Sequence, residues 1–499
     1  MGEGTFSDRE LDGYRTGADR FIAELDEEYY LHYAGLKPEF ELRAIYERHA
    51  DLTDVETVKR LGESVQGKEN LELFRFGCEG YLGELTRENS EKIAELEAKL
   101  EIQHEGETVG YRMLTPTIAN TADRDTRARL EQTRNDLTDE HLNPLYLDAV
   151  HTIQRAVPAL GATTYFHLYR DRFEYDLDGL AAQCRAFLDS TERRYEDSMD
   201  RLLRERVGIG LADAERHDIR RLFRGSSWDK AFPADRMLPA LRGTLSNLGI
   251  DLDAQKNVHL DVEERPTKSP RAFCAPIEIP GKVMLVIQPQ GGPDDWYALF
   301  HEAGHTEHFA FTDPNLKMEE KRLGDNAVTE GWAMLFDHLI DDRAWLGSML
   351  DFPRPETFAA EGAVQLLFFV RRYSAKLLYE IEFHAAEDPT QMRSRYVELL
   401  GEALKVELSP TDYLADIDSS YYVTAYLRAW AFSAQMTRFM REEFGTDWFK
   451  RREAGLLLTD LWALGQQPTA DELLKDVTGA TVELEAVAEH VRAAIPMPA

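Results

Sequence analysis

Apolar residues recur at helical spacing along most of the chain. Residues 14–160 carry apolar positions three and four apart, as in Phe21, Ile22 and Leu25, and residues 175–250 continue in this way. The same periodicity returns over 355–405, 418–443 and 446–465, with a last pair of helices after Pro468. No segment repeats at a fixed period. The pattern predicts a mainly α-helical protein.

The pattern changes between residues 257 and 290. Residues 258–262 alternate between apolar and polar, and two short apolar runs follow at 271–277 and 282–287, bounded by Pro and Gly. This predicts a small antiparallel β-sheet. With 499 residues the chain can bury a large core. We expect an N-terminal helical region over 1–255 and a second region over 256–499, joined as one continuous body of two lobes.

Directly after the predicted sheet, residues 301–305 read HEAGH. A Gly-Gly-Pro turn followed by Asp294 or Asp295 predicts the start of a helix with an acidic cap. On that helix His301 and His305 share a face and can bind one metal ion, with Glu302 beside it. A zinc-bound water has its pKa drawn toward ~7, and a neighbouring carboxylate can accept its proton. The motif therefore indicates metal-assisted hydrolysis of an amide.

A zinc ion in a hydrolase usually takes three protein ligands, and the third must come from elsewhere in the chain. His308 lies on the same face, but turns about 5.4 Å apart prevent three residues of one straight helix from meeting at one ion. The metzincin pattern is excluded because position 311 is Phe. Glu330 lies among apolar residues of a predicted helix, where a carboxylate needs a partner or a metal. Glu330 is the predicted third ligand, and Asp337, on the same side, either bonds a ligand histidine or is an exposed helix acid.

These motifs resemble a known family. The run 294–308, DDxxxLFHExGHxxH, with a glutamate 25 positions after His305, is similar to the thimet oligopeptidase/oligoendopeptidase family of gluzincins. Angiotensin-converting-enzyme-like peptidases and the thermostable carboxypeptidases are similar too. The specific match covers about positions 270–340.

The resemblance implies zinc held by His301, His305 and Glu330, with Glu302 as general base. It also implies a large helical ellipsoid whose deep cleft excludes folded proteins, so that short peptides are the substrates. One edge strand of the sheet would pair with the substrate backbone, and a purely structural sheet is the alternative. We also expect His308 to contact substrate.

A tyrosine-rich segment at 418–433 resembles the one that stabilises the oxyanion in this family. Tyr422 and Tyr426 are four apart and share a helix face, and we expect them to be catalytic, whereas Tyr421 points elsewhere and is assigned to substrate binding. The Gly-rich, His-bearing loop that normally precedes these tyrosines is replaced by 412–417, and one extra residue separates the third tyrosine. Which tyrosine acts is left open, and aromatic packing in a core helix is the alternative for each.

The sequence is also compatible with two other functions. A metallocarboxypeptidase would need a cation for the substrate's terminal carboxylate, for which Arg371 or Arg372 is the candidate; a salt bridge between helices is the favoured interpretation of that pair. A non-catalytic, metal-stabilised peptide-binding protein would normally use four ligands, often with Cys, and Cys274 could approach across the sheet. His338 and His384 are interpreted as structural.

The net charge of the chain excludes some classes of binding partner. The net charge is −33, from 58 basic and 91 acidic residues, which repels nucleic acid and anionic membranes. The apolar stretches are too short to span a bilayer, the N-terminal residues lack a signal-peptide pattern, and Cys78, Cys184 and Cys274 are scattered. We therefore expect a cytoplasmic enzyme without nucleic-acid or membrane partners. Acidic residues spread along a Lys-poor chain are typical of halophile proteins, although an ordinary acidic enzyme is the alternative.

Overall fold

The computed structural model describes residues 5–269 and 271–495, and the protein is mainly α-helical, as predicted. The α-helices of the first half are α1 Asp8–Tyr33, α2 Leu42–Arg48, α3 Val55–Glu63, α4 Lys68–Lys99, α5 Tyr111–Asn120, α6 Arg124–Leu137, α7 Asn143–Ala156, α8 Tyr165–His167, α9 Leu177–Arg206, α10 Arg216–Phe223 and α11 Met237–Asn247. Those of the second half are α12 Pro293–Phe311, α13 Met318–Arg322, α14 Asn326–Asp337, α15 Arg343–Trp345, α16 Pro355–Ala385, α17 Met392–Leu404, α18 Val423–Phe444, α19 Arg452–Trp462, α20 Ala470–Thr478 and α21 Glu485–Ala494.

Short 3₁₀ and π segments join many of these α-helices. The 3₁₀ segments are Ala50–Leu52, Val157–Leu160, Leu211–Asp213, Ser226–Ala231, Ala234–Arg236, His338–Asp341, Pro389–Gln391, Pro410–Tyr413, Ser419–Tyr421 and Trp448–Lys450. The π segments are Thr138–Leu142, Leu168–Arg172 and Leu346–Leu350. None of the helices in the described ranges combines the length and apolar character needed to cross a membrane.

The chain forms two compact units, each assembled from separate segments. Unit 1 contains the segment that ends at Gly77, together with Ser226–Ala363 and Ala425–His490. Unit 2 contains Cys78–Gly225, Val364–Thr424 and the segment from Val491 onward. Both units contain segments from before and after residue 255, the position at which we expected the chain to divide. Helical periodicity identifies helices but does not say which of them pack together.

A β-hairpin that the periodicity did not predict interrupts the N-terminal helices. Strands β1 Glu101–His104 and β2 Glu107–Gly110 pair antiparallel in unit 2. The two residues between them, Glu105 and Gly106, have φ values of 51° and 86°. Positive φ at both central residues defines the turn that matches the twist of a hairpin, and Gly106 makes the second position favourable.

The predicted sheet lies in unit 1 directly before α12. Its strands β3 Val258–Asp261, β4 Phe273–Glu278 and β5 Lys282–Val286 have the order β3-β5-β4. β4 and β5 are antiparallel, as predicted, but β3 runs parallel to β5, so the prediction of an entirely antiparallel sheet is wrong for that pair. Alternation locates a strand without giving its direction. One face of the sheet packs on α1 through a small apolar core of Ala34, Ala275, Ile277, Met284 and Val286.

Candidate metal centre

Helix α12 carries the HEAGH motif and begins at the predicted turn. Its N-cap residue is Gly292, with φ 87°, and Pro293 is the first helical residue. The predicted acidic cap is therefore wrong. Asp295 reaches back instead, and its Oδ2 accepts hydrogen bonds from Gln290 N–H (2.7 Å) and Gly291 N–H (3.0 Å). This carboxylate fixes the turn that aims α12 and adds a negative charge at the positive end of the helix.

Helix α14 supplies the third predicted ligand and is capped by Asp325. The Asp325 carboxylate accepts a hydrogen bond from Ala327 N–H at 3.1 Å and pairs with both terminal nitrogens of Arg428, at 2.8 and 2.7 Å. A two-point arginine–carboxylate pair fixes orientation as well as distance. The start of α14 is therefore held firmly against α18.

The two helices touch at a glycine inside the motif. A Cβ at Gly304 would lie 2.6 Å from Ala333 Cα and 2.7 Å from Trp332 O. Only a residue without a side chain permits this approach, because real Cβ contacts are longer. On the apolar side of α12, Leu299 and Phe300 are fully buried. Close backbone packing thus brings the histidine face of α12 against α14.

His301, His305 and Glu330 meet at one point in unit 1. One candidate ligand atom from each lies within 4.8 Å of the other two. The Nε2 atoms of His301 and His305 lie 3.4 and 3.8 Å from Glu330 Oε2. Two imidazole nitrogens and one carboxylate oxygen form the donor set that zinc takes in hydrolases. The three residues chosen from the sequence are those that the fold brings together.

The other nitrogen of each histidine is held in place. His301 Nδ1–H donates to Asp337 Oδ2 at 2.8 Å, which is the first of the two alternatives given for Asp337, and His305 Nδ1 lies 2.8 Å from Thr329 Oγ1. A partner at Nδ1 fixes the ring and leaves the Nε2 lone pair for a metal. Burial disfavours charge on both rings. The hydrogen bonds to Asp337 and Glu330 nevertheless raise the pKa of His301 well above its usual range, whereas burial lowers the pKa of His305 to about 4.

Glu302 lies beside this cluster in a half-buried position. Its Oε2 accepts a hydrogen bond from the Cys274 backbone N–H at 2.9 Å. Burial raises the pKa of Glu302 to about 7, while the neighbouring His301 acts in the opposite direction. A carboxylate with a pKa near neutrality can both accept and release a proton at physiological pH.

Cys274 belongs to β4, which is an edge strand of the sheet. Beyond Cys274, the carbonyls of Pro276 and Ile277 accept hydrogen bonds from Arg322 at 2.9 and 2.7 Å. A substrate backbone that pairs with β4 must replace these bonds or use the residues before Cys274. The predicted pairing of substrate with an edge strand stays a prediction.

No protein-family model matches the chain, and no curated protein sequence matches it significantly. The metal centre is therefore interpreted from its own residues.

A second group of possible ligands lies in unit 2, where Glu215, His217 and Asp218 offer atoms within 4.8 Å of one another. Asp218 is fully buried and pairs with Arg127 at 2.6 Å and Arg124 at 2.9 Å. Two guanidinium groups already neutralise this carboxylate and would repel a cation. This group is better described as a salt-bridge network.

His308 does not fit the substrate-contacting role expected from the sequence. It is fully buried, and its Nε2 lies 3.2 Å from the carbonyl oxygen of Gly465. Burial lowers its pKa to about 3. Three residues past His305, its side chain points into the packing of unit 1, where it is a structural residue.

The three tyrosines differ in their surroundings. Tyr421 and Tyr422 belong to unit 2, and Tyr426 to unit 1. Tyr421 is fully buried against Tyr165, with ring centroids 5.9 Å apart, so its placement does not fit the expected substrate contact. Tyr422, directly before α18, and Tyr426, in its first turn, are half-buried, and Tyr426 lies against Trp430. Their catalytic role stays a prediction.

The arginine pair in α16 is held by the protein itself. Arg371 is buried and donates to Ala403 O (2.9 Å), Leu188 O (2.6 Å) and Thr191 Oγ1 (2.8 Å). Arg372 forms a salt bridge with Asp416, which lies in a turn, so the expected salt bridge is present for Arg372 but does not join two helices. Of the histidines interpreted as structural, His384 packs on Tyr165, and His338 lies 3.4 Å from Ser433 Oγ.

Sequence reasoning missed three contributors to the centre. Thr329 directly precedes Glu330, and a hydroxyl next to a predicted ligand was a usable signal. Gly304 carried a signal as well, since glycine inside a helix implies close packing. The Cys274 N–H carried none, because any strand residue offers the same group.

Proposed function

We propose that the protein is a zinc-dependent metallopeptidase that hydrolyses short peptides. The observation that supports this most directly is the convergence of His301, His305 and Glu330, with Glu302 beside them. The donor set fits zinc: two imidazole nitrogens, on rings held by partners at Nδ1, and one carboxylate oxygen. One bound ion would polarise a water molecule and the peptide carbonyl.

The number of protein ligands favours catalysis over a structural metal. Within residues 5–269 and 271–495, the cluster offers three ligands and does not include Cys274, the residue considered for a fourth. Structural zinc sites are normally closed by four, whereas catalytic sites keep one position for water. Glu302 adds a base that a structural site does not need.

Glu302 carries the proton chemistry in this proposal. Its carboxylate takes a proton from the attacking water and gives it to the nitrogen of the leaving amine. The Cys274 N–H holds the carboxylate in place through Oε2. Burial keeps its basicity higher than that of an exposed glutamate.

The remaining parts of the proposal come from the resemblance described above. Tyr422 or Tyr426 would donate a hydrogen bond to the oxygen that gains negative charge. Short peptides would be preferred over folded proteins. The three cysteines are free, and Cys78 and Cys184 are buried, which suits an enzyme of a reducing compartment such as the cytoplasm.

The test combines metal analysis with digestion of a peptide library, with and without a chelator. We expect one zinc per chain and cleavage of short peptides that stops on chelation and returns with zinc. Amidated peptides distinguish the two peptidase types, because loss of cleavage after C-terminal amidation would indicate a carboxypeptidase.

Glu302→Gln isolates the base from the metal. We expect this variant to keep its zinc and lose at least about a hundredfold in rate, the usual contribution of a general base. Glu307→Gln is a matched control, since Glu307 is buried on the same helix and accepts a hydrogen bond from Gln255. Undiminished cleavage by Glu302→Gln would overturn the proposal.

A further inference from the structure

A cavity of about 400 Å³ lies within unit 2, and none of its lining residues belongs to the metal centre. Helices α6, α10, α16 and α17 and the segment Pro410–Tyr413 contribute to its wall. One part of the wall is cationic and another is aromatic. In a protein with a net charge of −33, a buried concentration of arginines requires a physical reason.

Three arginines form the cationic part. The side chains of Arg134, Arg216 and Arg220 are only 16, 17 and 18 % exposed. Removing a guanidinium from water is costly unless carboxylates or hydrogen-bond acceptors replace the lost hydration. The available partners therefore decide whether this cluster is balanced.

Two carboxylates form salt bridges with the arginines of this cluster. Asp412 pairs with both Arg134 and Arg216, and Glu131 pairs with Arg216. Arg220 donates to the neutral Thr115 Oγ1 at 2.5 Å, and among the described residues its nearest carboxylate oxygen is Glu131 Oε2, 3.9 Å from its Nε. Among the described residues, the cluster thus has three guanidinium groups for two carboxylates, and Arg220 has no carboxylate oxygen nearer than 3.9 Å.

The pKa of Arg220 also indicates that its positive charge is poorly balanced. Burial, together with the charges of Arg216 and Arg134, lowers the pKa of Arg220 to about 9. A single anion next to Arg220 would relieve that repulsion. Arg372, which also lines the cavity, is already paired with Asp416 and is not in surplus.

The aromatic part of the wall is formed by Phe223, Phe368 and Phe369. The ring of Phe223 lies 5.0 Å from that of Phe368 and 6.1 Å from that of Phe369. Leu400 of α17 lies on the same cavity. Pockets lined mainly by apolar side chains with a few convergent polar groups are the usual form of a small-molecule site.

We propose that this cavity binds a small monocarboxylic acid with an aromatic or aliphatic body. The carboxylate would lie against Arg220 and Arg216, and the body against the three phenylalanines. A monoanion is favoured over phosphate because the surplus in the arginine cluster is one charge. This site is independent of the proposed peptidase activity.

Isothermal titration calorimetry with 3-phenylpropionate in low-chloride buffer tests the proposal. We expect one molecule bound per chain, and at least about tenfold weaker binding of the neutral 3-phenylpropan-1-ol, because a charge-assisted hydrogen bond is lost. Equal binding of acid and alcohol would overturn the proposal, as would no measurable binding of the acid.

Substitutions of cavity residues test whether the acid binds in this cavity. Arg220→Gln should weaken binding of the acid at least about tenfold, whereas Arg221→Gln, the next residue of α10 but not on the cavity, should leave it unchanged. Ala415→Phe, at an exposed position of the wall, should block entry without disturbing the core, which keeps the test valid should Arg220→Gln unfold.

Because a carboxylate can also bind a zinc ion, the titration is repeated after chelation. Binding that persists without zinc and is lost in the cavity variants supports the proposal. Binding that disappears with zinc and survives Arg220→Gln overturns it.

Discussion

Gly304 and Ala333 bring the backbones of α12 and α14 into contact at the metal centre: a Cβ on residue 304 would lie 2.6 Å from Ala333 Cα. One missing methyl group thus decides whether a histidine pair on one helix can meet a glutamate on another. The close packing of the two helices thus determines the positions of the metal ligands, and adding that methyl group tests this dependence.

Gly304→Ala should separate the two helices and weaken zinc binding, because His301 and His305 would move away from Glu330. Overpacking of this kind costs about 1–3 kcal/mol of stability. Thermal unfolding and zinc competition with a chelator measure the two effects. Gly13→Ala is the control, since Gly13 in α1 has nothing within 4 Å and should gain about 0.5–1 kcal/mol from better helix propensity.

Asp337→Asn should weaken zinc binding by roughly 10- to 100-fold, because a neutral amide supports the His301 ring less well than a carboxylate does. Competition with a chromogenic chelator gives the affinity. Asp313→Asn, in the loop after α12, is the matched control and should bind zinc like the unchanged protein. An unchanged affinity in Asp337→Asn would mean that the hydrogen bond at 2.8 Å does not orient the ligand.

The two candidate tyrosines can be separated by removing one hydroxyl at a time. Loss of an oxyanion donor typically lowers kcat by about 10²–10³-fold. We expect that loss in either Tyr422→Phe or Tyr426→Phe, with KM little changed, and a minor effect in the other. Steady-state kinetics on a cleaved library peptide is the measurement. If both variants keep full kcat, the tyrosine segment serves packing alone.

Asp341 gives the metal-free protein a defined pH dependence. Burial raises the pKa of this carboxyl from 3.8 to about 7, although Tyr297 donates a hydrogen bond to it. Between pH ~4 and ~7 the folded state binds more protons at this group than the unfolded state, so its contribution to stability falls as pH rises through that window.

Asp341→Asn keeps an acceptor for Tyr297 and removes the titration. The variant should match the unchanged protein near pH 4 and become more stable by on the order of 1–3 kcal/mol near pH 8. Urea unfolding at several pH values measures the difference. A gain that does not vary with pH would show that another effect of the amide is responsible.

Folding and activity should improve in molar KCl, because salt screens the repulsion among the excess of acidic residues. Urea unfolding and peptide cleavage across a KCl series provide the measurement. Equal stability in dilute buffer and in molar KCl would favour the ordinary acidic enzyme.

Much of the fold and of the metal centre could be predicted because the relevant signals are local. Helical periodicity locates α16, α18 and the last pair of helices, alternation locates β3, and a short apolar run locates β5. The spacing of His301 and His305 places both on one helix face, whatever lies around them. Glu330 could be chosen because a carboxylate among apolar residues needs a specific partner.

Only the tertiary structure decided which elements meet. The direction of β3, the bond from Cys274 to Glu302 and the burial of His308 all depend on residues distant in sequence. The same holds for the cavity, where an imbalance of one charge emerges only when helices from separate segments pack side by side. Local spacing determines which groups a helix presents, but distances across a fold are set by packing, and packing at Gly304 is what makes the two histidines and Glu330 one centre.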